Sequence, residues 1–189
     1  MKVIAFFTSE KQLIRRGQEG NAMAQERIFK LHAPKMLSVC RQYIPHLEQA
    51  EEAMCNAFLK VFQNLKKYRG DGSFEGWIRR IVIREAISYL RKSRKMQFDS
   101  IEAHTQAHTC VPATNHLEVE ELQMLIDSLP DGYRTVFVLY AIEGYRHEEI
   151  AKMLEISPGT SKSQLFKARK QLQQEVGRMN TYKNYTDEL

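Results

Sequence analysis

With 189 residues and 43% apolar content, the chain can build one ordinary domain or two small ones, and wholesale disorder is excluded. Nine Gly and five Pro are too few for a turn-rich all-β chain, while segments rich in Glu, Lys, Leu, Gln and Ala favour an all-α fold. Charge is unevenly spread: residues 1–95 hold 19 Lys+Arg against 9 acids, residues 96–121 hold five acids and no Lys or Arg, and residues 122–189 hold nine of each. The basic first block points to a polyanionic partner. Cys40, Cys55 and Cys110 are odd in number and share no metal-like spacing, Met1 to Phe7 is too short an apolar run for a signal peptide, and no stretch approaches a membrane span. These features predict reduced thiols in a cytoplasmic protein.

From Lys11 to about Lys95 the apolar pattern is helical, with Phe58, Leu59, Phe62 and Leu65 recurring at three- and four-residue spacing to give one stripe. A break follows at Tyr68-Arg-Gly-Asp-Gly-Ser, where two Gly and an Asp allow tight turns, and Ser73 is placed to cap a helix from about Phe74 to Arg94. Residues 66–95 hold ten Lys+Arg and three acids. At about 100° per residue, Arg80, Arg84, Arg91 and Lys95 fall within about a 60° arc. Trp77, Ile78, Ile81, Val82 and Tyr89 cover much of the rest and are expected to pack inward. A basic stripe opposite an apolar one suits a helix lying along phosphates, and equally a solvated helix. The loop Gly70, Asp71, Gly72, Ser73 and Phe74, beside the aromatic Tyr68 and Trp77, tips the balance: its yielding backbone can receive a base swung out of a duplex. Trp77 is expected to be mainly core, with the loop backbone as the reader.

Gln97 to His116 is polar and aperiodic and contains Pro112, which predicts a flexible acidic linker over 96–116. His104, His108, Cys110 and His116 within it have ligand-type side chains for zinc, but in an aperiodic stretch with no supporting shell the expectation is no metal. Periodicity resumes at Leu117 and continues to about Arg178, followed by a fraying tail over 179–189.

Within 117–178, the run from Glu143 to Lys170 has the form of a helix-turn-helix. Ile150, Ala151 and Leu154 give a first short helix an apolar face, with Ala151 small where two helices cross. Ile156 plugs the turn, Ser157 caps the second helix and Pro158 suits its first position. Leu165, Ala168 and Leu172 hold that helix to the core. Glu155 stands where the turn tends to a left-handed conformation, at a cost of about 1 kcal/mol. The outward residues Lys162, Ser163, Gln164, Phe166, Lys167, Arg169 and Lys170 suit a major groove: Lys for guanine acceptors, Gln for an adenine edge, Lys and Arg for phosphates. The N-terminal part of such a helix enters the groove, which favours Lys162, Ser163 and Gln164 for base reading. No Gly-rich phosphate loop with Lys-Ser/Thr and no nucleophile elbow is present, so neither catalysis nor a cofactor or small-molecule substrate is expected.

In four stretches, taken in order, the sequence resembles the extracytoplasmic-function sigma factors, the smallest type of the sigma-70 family. They are Ala50-Glu-Glu-Ala-Met-Cys-Asn-Ala-Phe-Leu-Lys-Val-Phe, Tyr68-Arg-Gly-Asp-Gly-Ser-Phe-Glu-Gly-Trp-Ile-Arg-Arg-Ile, Leu129-Pro-Asp-Gly-Tyr-Arg-Thr-Val-Phe and Ile156-Ser-Pro-Gly-Thr-Ser-Lys-Ser-Gln-Leu. The resemblance implies sigma region 2 over 1–95 and region 4 over 117–178. It implies that Glu51, Glu52, Asn56, Phe58, Leu59 and Phe62 dock on core RNA polymerase through its β′ subunit, with β as a further contact. Gly70–Phe74, Trp77, Arg80, Arg84 and Arg91 would recognise and open the −10 element. Pro158, Gly159, Thr160 and the outward residues through Lys170 would read the −35 element. The acidic linker would thread the polymerase cleft, and an anti-sigma protein, often membrane-anchored in this family, would be the regulator. Cys55-Asn56, Ser161, Gln164 and Arg84 depart from common family residues; Gln164 in place of Arg should shift base preference toward adenine. A DNA-binding regulator with a sensory or dimerising first domain shares the helix-turn-helix but leaves the loop and basic helix without a purpose.

Overall fold

A computed structural model describes residues 9–98 and 117–186, and every regular element among them is helical. The order is α1 (Glu10–Gln18), α2 (Ala22–Tyr43), α3 (Leu47–Asn64) with a 3₁₀ turn at Leu65–Lys67, α4 (Phe74–Phe98), α5 (Leu117–Asp127), α6 (Asp131–Phe137) running into a π-helical segment at Val138–Ile142, α7 (His147–Leu154) and α8 (Pro158–Thr186). The chain divides into two compact units, Met1–Arg41 with His46–Tyr89, and Gln42–Pro45 with Leu90–Leu189.

In the first unit, α3 buries Ala50, Ala53, Ala57 and Val61 with Met54 and Phe58, a set at three- and four-residue spacing. The alanines let neighbouring helices approach closely. Phe58 meets Phe29 edge-on at 4.8 Å between ring centres. Leu59, expected on the same stripe, is 60% exposed: it lies one residue, about 100°, off the buried arc. On α4, Ile78, Val82 and Ala86 are buried, whereas Trp77, Ile81 and Tyr89 are only partly covered. Glu85 interrupts this apolar face and pairs with Lys60 of α3, which neutralises a carboxylate that would otherwise be stranded in the core.

In the second unit, α6, α7 and α8 pack around Val136, Leu139, Ile150, Leu165 and Ala168. Leu154 and Leu172, expected to be core, are partly exposed. The helix predicted to fray after Arg178 runs to Thr186; beyond its first turn no Pro interrupts it, and the one Gly there, Gly177, lies in open space. His104, His108, Cys110, His116 and most of the acidic linker lie outside the described residues. Among the described residues no group of His, Cys, Asp or Glu is gathered as a metal site, and no helix is long and apolar enough to cross a membrane.

Candidate functional site

The helix-turn-helix takes the form its sequence dictates. α7 ends at Glu155, whose φ of 57° and ψ of 43° are left-handed, and the amide of Ile156 closes the turn on the Ala151 carbonyl at 3.1 Å. Ser157 Oγ then accepts from the Thr160 amide at 2.9 Å and caps α8. Ser161, Leu165 and Ala168 turn inward. Opposite them lie Gly159, Ser163, Phe166, Lys167 and Lys170, all exposed, with Lys162 and Arg169 on one flank and Thr160 and Gln164 on the other. Phe166 is 69% exposed, a large apolar side chain held in water among cations. Arg169 lies over the Tyr140 ring at 5.6 Å and Lys167 over Tyr133 at 6.0 Å, so both cations are braced against the rest of the unit.

The loop before α4 is built on two left-handed glycines, Gly70 and Gly72, both with φ of 87°. Tyr68 Oη donates to the Gly72 carbonyl at 2.8 Å, and Ser73 Oγ accepts from the Gly76 amide at 3.0 Å. Tyr68, Phe74 and Trp77 form an aromatic cluster, with Phe74 and Trp77 stacked at 5.8 Å. Phe74 is buried, so its side chain supports the loop and is not presented on it. Trp77, expected to be mainly core, is only half-buried. Asp71, Arg80 and Arg84 are exposed. Arg91, in the second unit, is also exposed and pairs with Glu155 at 2.9 Å. The side chain of Lys95 lies outside those described.

On α3, Glu51, Glu52, Cys55 and Leu59 face solvent, and Asn56 and Phe62 are partly exposed. Phe58, which the resemblance implied would dock on core polymerase, is 2% exposed and belongs to the core: the helix buries it with the alanines.

Residues 28–96 match the model for sigma-70 region 2, and residues 119–172 match that for sigma-70 region 4, together well over half of the chain. The chain belongs to the sigma-70 family. It is similar to the ECF RNA polymerase sigma-E factor of Escherichia coli K12, 28% identical over 181 residues that cover 89% of this chain and 94% of that one. It is also similar to the RNA polymerase sigma-H factor of Pseudomonas aeruginosa, 28% identical over 173 residues and covering 85% and 90%. Among solved structures it shares the fold of the sigma factor RpoE from Bartonella quintana, determined in complex with the anti-sigma factor NepR. That likeness has a TM-score of 0.57 at 20% identity and covers 80% of this chain and 96% of that one.

Ser161 lies within region 4 of this sigma-70 protein. It is fully buried, and its hydroxyl lies 2.9 Å from His147 Nδ1 at the start of α7. The His147 ring also stacks on Tyr140 at 4.7 Å. The serine is therefore partnered, and the two helices of the motif are joined by a polar clasp. Ser161→Val should strand the His147 nitrogen and cost about 1 kcal/mol. In a His147→Phe background the same valine should be neutral or stabilising. A double-mutant cycle by urea unfolding should give a coupling of about 0.5–1.5 kcal/mol; strict additivity would show that the contact contributes nothing.

Proposed function

We propose that this chain is an ECF-class sigma factor that carries core RNA polymerase to promoters and contributes no catalytic chemistry of its own. One observation carries the reading: a single chain holds region 2, with its glycine loop beside an exposed basic helix, followed by region 4, with a helix that presents Lys, Ser, Gln and Phe outward. Neither surface alone has the reach to define a start site; mounted together on polymerase, one reads duplex and the other the opened strand. In this reading the outer face of α3, with Glu51, Glu52, Asn56 and Leu59, docks on β′. Gly70–Ser73, Trp77, Arg80 and Arg84 engage the −10 element, and α8 engages the −35 element. The protein works in the cytoplasm. An anti-sigma protein restrains it, and the apolar side chains exposed on region 4, among them Leu122, Ile142 and Phe166, offer such an inhibitor a surface. The purified chain added to core polymerase should start transcription at a defined site; a DNA-binding regulator would need another sigma factor in the reaction.

Two substitutions on α8 separate positioning from reading. Lys170→Ala should weaken holoenzyme binding to all promoters alike and reduce the slope of log K against log salt by about 1. Gln164→Arg should instead exchange preference for adenine for preference for guanine at one −35 position, with discrimination of about 1–3 kcal/mol. Binding of a −35 duplex series across salt concentrations measures both. Equal effects of the two variants on every sequence would remove α8 from base reading.

A further inference from the structure

The tip of the loop at 69–73 has little to hold it. Beyond their immediate chain neighbours, Gly70 and Gly72 have no described heavy atom within 4 Å of where a Cβ would stand, and Asp71 is exposed. Its shape is therefore set at its ends. The far end is held by the Tyr68 hydroxyl on the Gly72 carbonyl and by the Ser73 cap. The near end is held by a residue far away in sequence: Gln18, the last residue of α1, donates from Nε2 to the carbonyls of both Leu65 and Tyr68, each at 3.1 Å. Gly17 explains how α1 comes so close. A Cβ there would lie 2.9 Å from Leu65 Cδ2 and 3.0 Å from Ile28 Cδ1, both on buried side chains, so a larger residue would force those side chains or α1 to shift. Gln25 Nε2 in turn donates to the Gly17 carbonyl at 3.2 Å and fixes the end of α1.

From this arrangement we infer that Gln18 is a positioning residue for promoter opening: α1, which precedes the residues matched to region 2, sets the loop that captures the −10 strand. The inference rests on the assignment of that loop as the −10 reader. A site that takes a flipped base must hold its groups to within about 0.5 Å of the productive geometry. If the loop is released, the cost of ordering it, about 1–2 kcal/mol per residue, falls on the binding step. Gln18 is a suitable clamp because an amide NH₂ supplies two hydrogens, one for each carbonyl. An ammonium group can replace it; a hydrocarbon cannot.

The test uses holoenzyme assembled from the full-length chain and a single-stranded oligonucleotide carrying the non-template −10 region of a promoter whose start site has been mapped with the wild type. Gln18→Leu should weaken binding of that strand about tenfold, while affinity for core polymerase, affinity for the −35 duplex and the Tm stay at wild-type values. Gln18→Lys should restore strand binding to within about twofold. Gly72→Val, which strains the loop without touching α1, tests the underlying assignment. If Gly72→Val binds the strand normally, the loop is not the reader and both readings fall. If Gly72→Val is defective and Gln18→Leu is not, the inference alone falls. It falls too if Gln18→Lys is as poor as Gln18→Leu, or if the defect comes with a matching loss of Tm and core affinity.

Discussion

Arg134→Ala is expected to cost the second unit about 3–5 kcal/mol of stability, a large part of the total for a domain of this size. Arg134 is 3% exposed, an unusual place for an arginine. Its hydrogen bonds explain it. Nε donates to the Ile126 carbonyl at 3.1 Å, Nη2 to those of Asp127 at 2.9 Å and Leu129, and Nη1 to the Asp131 carboxylate at 2.9 Å. Helix α5 ends with carbonyls that have no partner within the helix, and Leu129-Pro130 breaks the chain before a glycine cap can form. The positive fork of Arg134, reaching back from α6, satisfies those carbonyls and opposes the negative end of the α5 dipole. Alanine would take the guanidinium from the Asp127 and Leu129 carbonyls, while that of Ile126 would keep only the Leu129 amide at 3.2 Å. Lysine should recover only part of the loss, because a point ammonium cannot span the fork. Trp77, the only tryptophan, lies in the first unit, so its fluorescence should keep the wild-type transition while far-UV circular dichroism shows the second unit melting early. A wild-type dichroism transition would mean that the α5 carbonyls find other partners.

The contrast between Arg134 and the helix-turn-helix marks how far the sequence can be read. The turn was legible because each part is local: Ser157 caps within three residues, Pro158 fits only a helix start, and Glu155 must be left-handed where two helices meet at that spacing. The basic face of α8 followed from the same phase. The clamps were not legible, since each joins residues remote in sequence: Gln18 to Leu65 and Tyr68, Lys60 to Glu85, His147 to Ser161. Periodicity treats a buried Glu85 or Ser161 as noise on an apolar face. Only the three-dimensional partner makes it a feature. On α3 the error was one of phase. The buried arc is mostly alanine, which carries little weight in a hydrophobic pattern, so the large Leu59 and Phe62 rotated the apparent stripe toward solvent.

That phase error leads to a sharp expectation for two adjacent residues. Phe58→Ala should destabilise the first unit by about 3–5 kcal/mol, because it removes a buried ring packed against Phe29 and Phe62 and the helices cannot fully close the cavity. Any loss of polymerase binding by this variant should track the fraction unfolded and recover on cooling. Leu59→Asp should do the reverse. A substitution at a 60% exposed site should change stability by no more than about 0.5 kcal/mol. If Leu59 is the apolar anchor of the polymerase-docking face, however, core affinity should fall at least about thirtyfold, as for a residue at the centre of an interface. Cys55 supplies an independent readout, one turn before Leu59 and exposed. Burial pushes the Cys40 thiol up to about 12, so it should stay unreactive in the folded chain. In a Cys110→Ser background, alkylation should therefore report on Cys55. Core polymerase should protect that thiol in the wild type and fail to do so in Leu59→Asp. Protection that survives the substitution, with affinity unchanged, would move the docking surface off this face of α3 while leaving the fold and the DNA-facing helices as described.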